Sequence, residues 1–146
     1  MIQDRIKKGA FLVVGRAGLD LYADPPGTRI EDAKAFFPAL GGSAANIASA
    51  ITRLGRAASL VTTVSDDAVG RYVLGQLRHY GIGIDHIRLV KGEERTSLAV
   101  VETRAENCQS VLYRNNAADF AFSNQDVAEL DYQSAAAVIT RSEEPR

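Results

Sequence analysis

At 146 residues, 46% of them apolar, the chain can bury one domain's core without help from a metal or a disulfide, and a single cysteine, Cys108, excludes an intrachain bridge. Seventeen Lys and Arg against 18 Asp and Glu leave a formal charge of -1, scattered along the chain, which excludes the basic footprint of a nucleic-acid binder. No apolar run approaches the roughly 20 residues of a bilayer span, and Met1 to Gly9 is polar, so the expectation is a cytoplasmic protein with neither nucleic acid nor membrane as partner. In chain order, the apolar run Phe11-Leu12-Val13-Val14 ending at Gly15 predicts a strand buried on both faces, the start of a parallel sheet. A polar stretch with Pro25, Pro26 and Gly27 follows. A helix opens after Leu40-Gly41-Gly42, with Ser43 as its expected N-cap and Ile47, Ile51 and Leu54 as its expected buried stripe. Ala58 to Val64 predicts the next strand. Asp66 and Asp67 suit the start of a helix whose apolar face is Val69, Val73, Leu77 and Tyr80 and which Gly81 ends. Strand, helix, strand, helix is the rhythm of an α/β fold.

That rhythm changes at residue 96. Thr96 to Arg104 and Gln109 to Asn115 predict a hairpin around Ala105-Glu106-Asn107-Cys108, and with the extended segments 17–23 and 33–37 they predict a small antiparallel sheet standing off the main layer as a lid. Ser123 to Asp126 predicts a further helix start and Ala136 to Thr140 another buried strand. His79 and His86 lack metal-ligand spacing, and Cys108 has no histidine near it in sequence.

The Gly41-Gly42-Ser43-Ala44-Ala45-Asn46 stretch has the chemistry of a binding site. Backbone approaches a ligand closely where no Cβ intervenes, and a helix N-terminus offers unpaired N–H donors. With Gly55 and Asp66-Asp67-Ala68-Val69-Gly70 following at matching intervals, the segment resembles the first signature of the ribokinase-like, or PfkB, carbohydrate kinases. The resemblance runs from about Phe11 to Ile139. Gly15-Arg16-Ala17-Gly18-Leu19-Asp20-Leu21-Tyr22, Arg29-Ile30-Glu31-Asp32 and Tyr113-Arg114-Asn115-Asn116-Ala117-Ala118-Asp119 extend it toward that family's sugar-acid kinases of inositol catabolism. One departure is Ser65, where the family usually has glycine. If that position required a positive φ, serine would be disfavoured.

The resemblance implies an ATP-dependent kinase that phosphorylates a sugar hydroxyl, an α/β ribokinase-like parallel sheet flanked by helices with a β lid, and residues 1–146 as the N-terminal part of that domain, with lid segments near 17–37 and 96–115. It implies that Asp20 and Asn46 bind substrate hydroxyls, that Gly41 and Gly42 let the sugar lie against main chain, and that Arg114 grips a carboxylate. On residue chemistry alone, Asp20 also fits a turn-capping carboxylate, Asn46 a first-turn polar residue and Arg114 a solvated edge-strand charge. No role is assigned to Arg16 or Arg29. The family's second signature, Gly-Ala-Gly-Asp, which supplies the base and anion hole, does not occur in these residues. The expectation is therefore a substrate-binding half without catalytic residues, inactive by itself, with ATP and Mg²⁺ serving the complete enzyme and no cofactor for this chain. Its expected partner is a small sugar or sugar acid, with a homodimer through the lid and an exposed apolar sheet edge. A kinase for fructose, 2-keto-3-deoxygluconate or a nucleoside, a non-catalytic sugar-binding fragment, and a Rossmann nucleotide module remain as alternatives.

Overall fold

In the computed structural model, which describes residues 1–140, helix α1 (Ile2–Lys8) precedes strand β1 (Phe11–Val14). Leu12 is 5% exposed and Val13 1%, so consecutive side chains are buried on opposite faces, as the unbroken apolar run predicted. Four strands make the first sheet. In it, β1 lies between β4 (Ala58–Ser65) and β8 (Ala137–Thr140), with β5 (Ile87–Val90) outside β4, all pairings parallel. Helices α2 (Ser43–Arg53) and α3 (Ala68–His79) cover one face, burying Val13, Leu60, Val64, Val73 and Leu77. Leu12, Val61, Leu130 and Ala135 form a separate cluster, with Phe122 and with Val127 of the short helix α4 (Gln125–Ala128) packed against it.

The buried face of α2 departs from expectation. Ala44, Ala45 and Ala48 are the fully buried positions, Ile47 and Ile51 are packed only partly, and Leu54 is 81% exposed. Three alanines let the helix backbone approach the sheet closely, which moves the isoleucines to the flank, and Leu54 falls just past the last helical turn.

The second sheet has the order β3-β2-β6-β7, from β2 (Gly18–Asp24), β3 (Ala35–Gly41), β6 (Leu98–Val101) and β7 (Ser110–Tyr113). Its outer pairings are antiparallel, whereas the central one, β2 with β6, is parallel, so the sheet is mixed. Its strands are shorter than the 96–104 and 109–115 segments suggested. Ser65 lies in extended β4, outside the positive-φ residues, so the conformation that would have excluded serine does not arise. Its hydroxyl instead accepts from Thr96 N–H at 3.0 Å, and Thr96 Oγ1 accepts from Ser65 N–H at 3.0 Å. This buried exchange ties the end of β4 to the start of the second sheet.

Candidate functional site

β3 passes directly into α2 through Gly42, whose φ of +99° makes it the N-cap. A Cβ there would stand 2.4 Å from the carbonyl oxygen of Arg16 and 2.8 Å from Ala17 Cα, so the chain leaving β1 is pressed against the head of α2. The Arg16 carbonyl accepts from Ala45 N–H at 3.4 Å. Ser43 is thus the first helical residue and not the cap: no side chain caps this helix, and main chain from the preceding crossover meets its first turn.

Asp20 sits on β2 opposite Ala39 of β3, and its carboxylate rests against Gly41, where a Cβ would come 2.0 Å from Oδ1. Burial pushes the Asp20 carboxyl above the ordinary aspartate value, and the nearby positive charge of Arg16 partly offsets this. Two residues along the same strand, burial and the charge of Asp20 raise the Tyr22 phenol.

Beside this junction is a cavity of about 190 Å³ lined by Gly15, Arg16, Ser43, Thr62, Arg114, Asp119 and Phe122. Arg114 is ion-paired with Asp119 and lies over the Phe120 ring, 4.5 Å from its centroid. Arg16 makes one hydrogen bond among the described residues, from Nη1 to Ser97 Oγ at 3.3 Å, while its Nε is buried without a partner. Asp119 Oδ1 is likewise buried without a partner.

The structure therefore places Asp20, Gly41 and Gly42 in one contiguous junction and sets Arg114 in the wall of the cavity beside it. Asn46, exposed and one helical turn beyond Ser43, lines an adjoining cleft of about 410 Å³ together with Ala39, Leu40, Arg53 and Tyr80. Ala39, the cross-strand partner of Asp20, connects that cleft to the junction. Sequence reasoning left Arg16 without a role and passed over Asp119. The only signal for either was its place inside a run of family resemblance, Arg16 meeting Ser97 from far along the chain and Asp119 pairing with Arg114 of its own run.

Asp67 serves as the cap of α3, its Oδ1 accepting from Val69 and Gly70 N–H at 2.9 Å each. The Cys108 thiol, in the hairpin turn, donates to the Glu102 carbonyl at 2.7 Å. Among the described residues no group of three or more His, Cys, Asp or Glu could hold a metal ion, and no helix is long and apolar enough to cross a membrane.

A parallel sheet flanked by helices, carrying a four-stranded second sheet over a glycine-lined helix N-terminus, is the architecture of carbohydrate kinases. Residues 10–143 match the pfkB family carbohydrate kinase pattern, and the chain belongs to that family. It is similar to a 5-dehydro-2-deoxygluconokinase of Photobacterium profundum, with 40% identity over 116 residues, which are 80% of this chain and 35% of the relative. Among solved structures it resembles a PfkB protein from Polaromonas sp. JS666, with TM-score 0.74, 24% identity, and coverage of 82% of this chain and 40% of that one. A fructokinase from Xylella fastidiosa with bound ATP gives TM-score 0.69 and 30% identity over 82% of this chain and 37% of that one. The chain thus spans little more than a third of these relatives' length.

Proposed function

We propose that this chain is the sugar-binding part of an ATP-dependent 5-dehydro-2-deoxygluconokinase, which phosphorylates a hydroxyl of that keto sugar acid in inositol catabolism, in the cytoplasm. The observation that carries the reading is the pairing of opposite chemistries at one junction. A carboxylate, Asp20, suited to accept sugar hydroxyls lies against Gly41, and beside it is a cavity whose wall includes the guanidinium groups of Arg16 and Arg114. Gly41 and Gly42 let the Asp20 carboxylate and the Arg16–Ala17 backbone close against the head of α2 at the edge of the sugar site, Asn46 reaches a further hydroxyl from the adjoining cleft, and Arg114, paired with Asp119, borders the substrate from the cavity wall. The second sheet, near 17–37 and 96–115, acts as a lid over the sugar. Its exposed Phe37, Leu112 and Tyr113 supply an apolar surface for a homodimer through the lid.

In this role the chain orients the attacking hydroxyl and excludes water from it. Transfer itself needs a base and an anion hole, which the family takes from Gly-Ala-Gly-Asp, a run absent from these 146 residues. Among the described residues no cluster of three or more carboxylate, His or Cys side chains offers a metal site of its own, so Mg²⁺ would come to the complete enzyme with ATP. We expect the chain alone to bind 5-dehydro-2-deoxygluconate in calorimetry and to release no ADP in a coupled assay with ATP. ADP release that persists after removal of contaminating kinases and vanishes in Asp20→Asn would overturn the inactive half. Preference for fructose over the acid would move the assignment to a neutral-sugar kinase.

A further inference from the structure

We infer that Arg16, more than Arg114, determines acid specificity, its guanidinium taking the carboxylate of the sugar acid in the cavity between the β1 crossover and the head of α2; this rests on the sugar-acid reading proposed above. The two arginines share that cavity but differ in what the protein already asks of them. Arg114 is committed: Asp119, whose side chain is 8% exposed, neutralises its charge, and Phe120 covers its plane. A ligand carboxylate at Arg114 would have to compete with a buried carboxylate already in place.

Arg16 is held more loosely. Its one hydrogen bond, at 3.3 Å to a serine hydroxyl, is long, and no aromatic ring covers its plane among the described residues. Among the described residues no carboxylate forms an ion pair with it within 4.0 Å, and the nearby charge it does sense is that of Asp20. A buried guanidinium N–H without an acceptor is costly, and a planar carboxylate is the ligand group that matches its fork of donors. The site also favours an anion from a second direction, because Ser43, at the first turn of α2, lines the same cavity with a helix N-terminus that no side chain caps.

The test is calorimetric titration of the chain with 5-dehydro-2-deoxygluconate and, separately, with fructose. Arg16→Met is expected to weaken acid binding about 10- to 100-fold, the loss of a charge-assisted pair, and to change fructose binding less than about 3-fold. Acid binding retained within about 3-fold in Arg16→Met overturns the Arg16 assignment and leaves the sugar-acid reading standing. An unaltered chain with no preference for the acid over fructose overturns that reading and the inference with it. Should Arg16→Met prove unfolded by circular dichroism, Arg16→Lys carries the test. A point-charge ammonium is expected to lose about 3- to 10-fold for the acid and nothing for fructose, and unchanged acid binding overturns the assignment.

Discussion

The two adjacent glycines at the head of α2 are required for different reasons, and alanine separates them. At Gly42 the positive φ is strained for any L side chain, and the atoms a Cβ would strike are backbone, Arg16 O at 2.4 Å and Ala17 Cα at 2.8 Å. Gly42→Ala is therefore expected to destabilise the fold by about 1–3 kcal/mol from conformation alone, with the backbone contact adding to it. At Gly41 the obstacle is the carboxylate of Asp20, the far end of a side chain that can rotate away. Gly41→Ala is expected to fold with a small loss of Tm while sugar affinity falls at least tenfold, because the displaced Asp20 leaves its place. Denaturant melts and calorimetry on both variants check this: equal stability losses would refute the distinction. That the Gly-Gly pair opens a helix was legible in the sequence because the turn it makes is a property of residue type, and the structure sets Asp20 against it. The sparse hydrogen bonding of Arg16 was not legible, and the ion pair between Arg114 and Asp119 could be seen only once their shared cavity was closed around them.

At the scale of elements, strands and helices with strong local chemistry were the legible ones. The double acidic start of α3 is an example: Asp67 caps it with two 2.9 Å hydrogen bonds, and Gly81 follows its end in a left-handed conformation at φ +71°. The Asp67 carboxyl is raised by burial but brought below the ordinary aspartate value by the hydrogen bonds from Gly70, Ser65 and Val69, with Arg95 adding to the effect. A depressed pKa marks stability present above about 3.9 and lost as pH falls through the lower folded value. Asp67→Ala is expected to cost about 1 kcal/mol at neutral pH, with Asp67→Asn, which keeps an acceptor, costing clearly less. Chemical denaturation at pH 7 measures both, and an asparagine variant as unstable as the alanine one would show that the charge and not the cap matters. Elements without such signals were harder to read. Strand β5 was read only by its start at His86, which the structure bears out with Ile87–Val90, and α4, predicted from Ser123-Asn124-Gln125-Asp126, is a single turn. There the Asp126 carboxylate is occupied with Ser123 N–H at 2.7 Å and with Arg88 Nε at 2.5 Å, so it serves a junction between β5 and α4 more than a longer helix.

At the scale of the whole molecule, the two sheets are held by different kinds of interaction, and acid should separate them. The central strands of the first sheet, β1 and β4, are buried on both faces, and the sheet's peripheral ion pair, Arg88 with Asp126, keeps the Asp126 carboxyl at about 2 through the hydrogen bond from Arg88. The outer end of the second sheet instead converges on Glu102, whose side chain is 1% exposed. Its carboxylate accepts from Ile30 N–H at 3.1 Å, Arg104 Nε at 2.7 Å and Gln109 N–H at 3.1 Å, tying β6, the hairpin turn and the 30–32 segment together. No sequence rule placed a glutamate there, because this residue type is buried only when paired, and one of its partners, Ile30, comes from a distant stretch of the chain. Burial pushes the Glu102 carboxyl up, and the hydrogen bonds from Arg104, Ile30 and Gln109 outweigh it, leaving the pKa below the ordinary glutamate value of about 4.3. Stability from this group is therefore present in full above the unfolded value and disappears as pH falls through the folded one, while Asp126 remains ionised until about 2. Acidification from pH 6 through the lowered titration of Glu102 is expected to expose the amides of Ile30 and Gln109 to hydrogen exchange while those of β1 and β4 stay protected, so that the second sheet loosens before the α/β layer. Glu102→Gln should reproduce the loosening at pH 6, since a neutral amide accepts more weakly from Arg104 and its NH₂ faces a backbone donor. Simultaneous loss of protection in both sheets would mean that the second sheet is not an independent unit and cannot loosen without unfolding the layer that supports it.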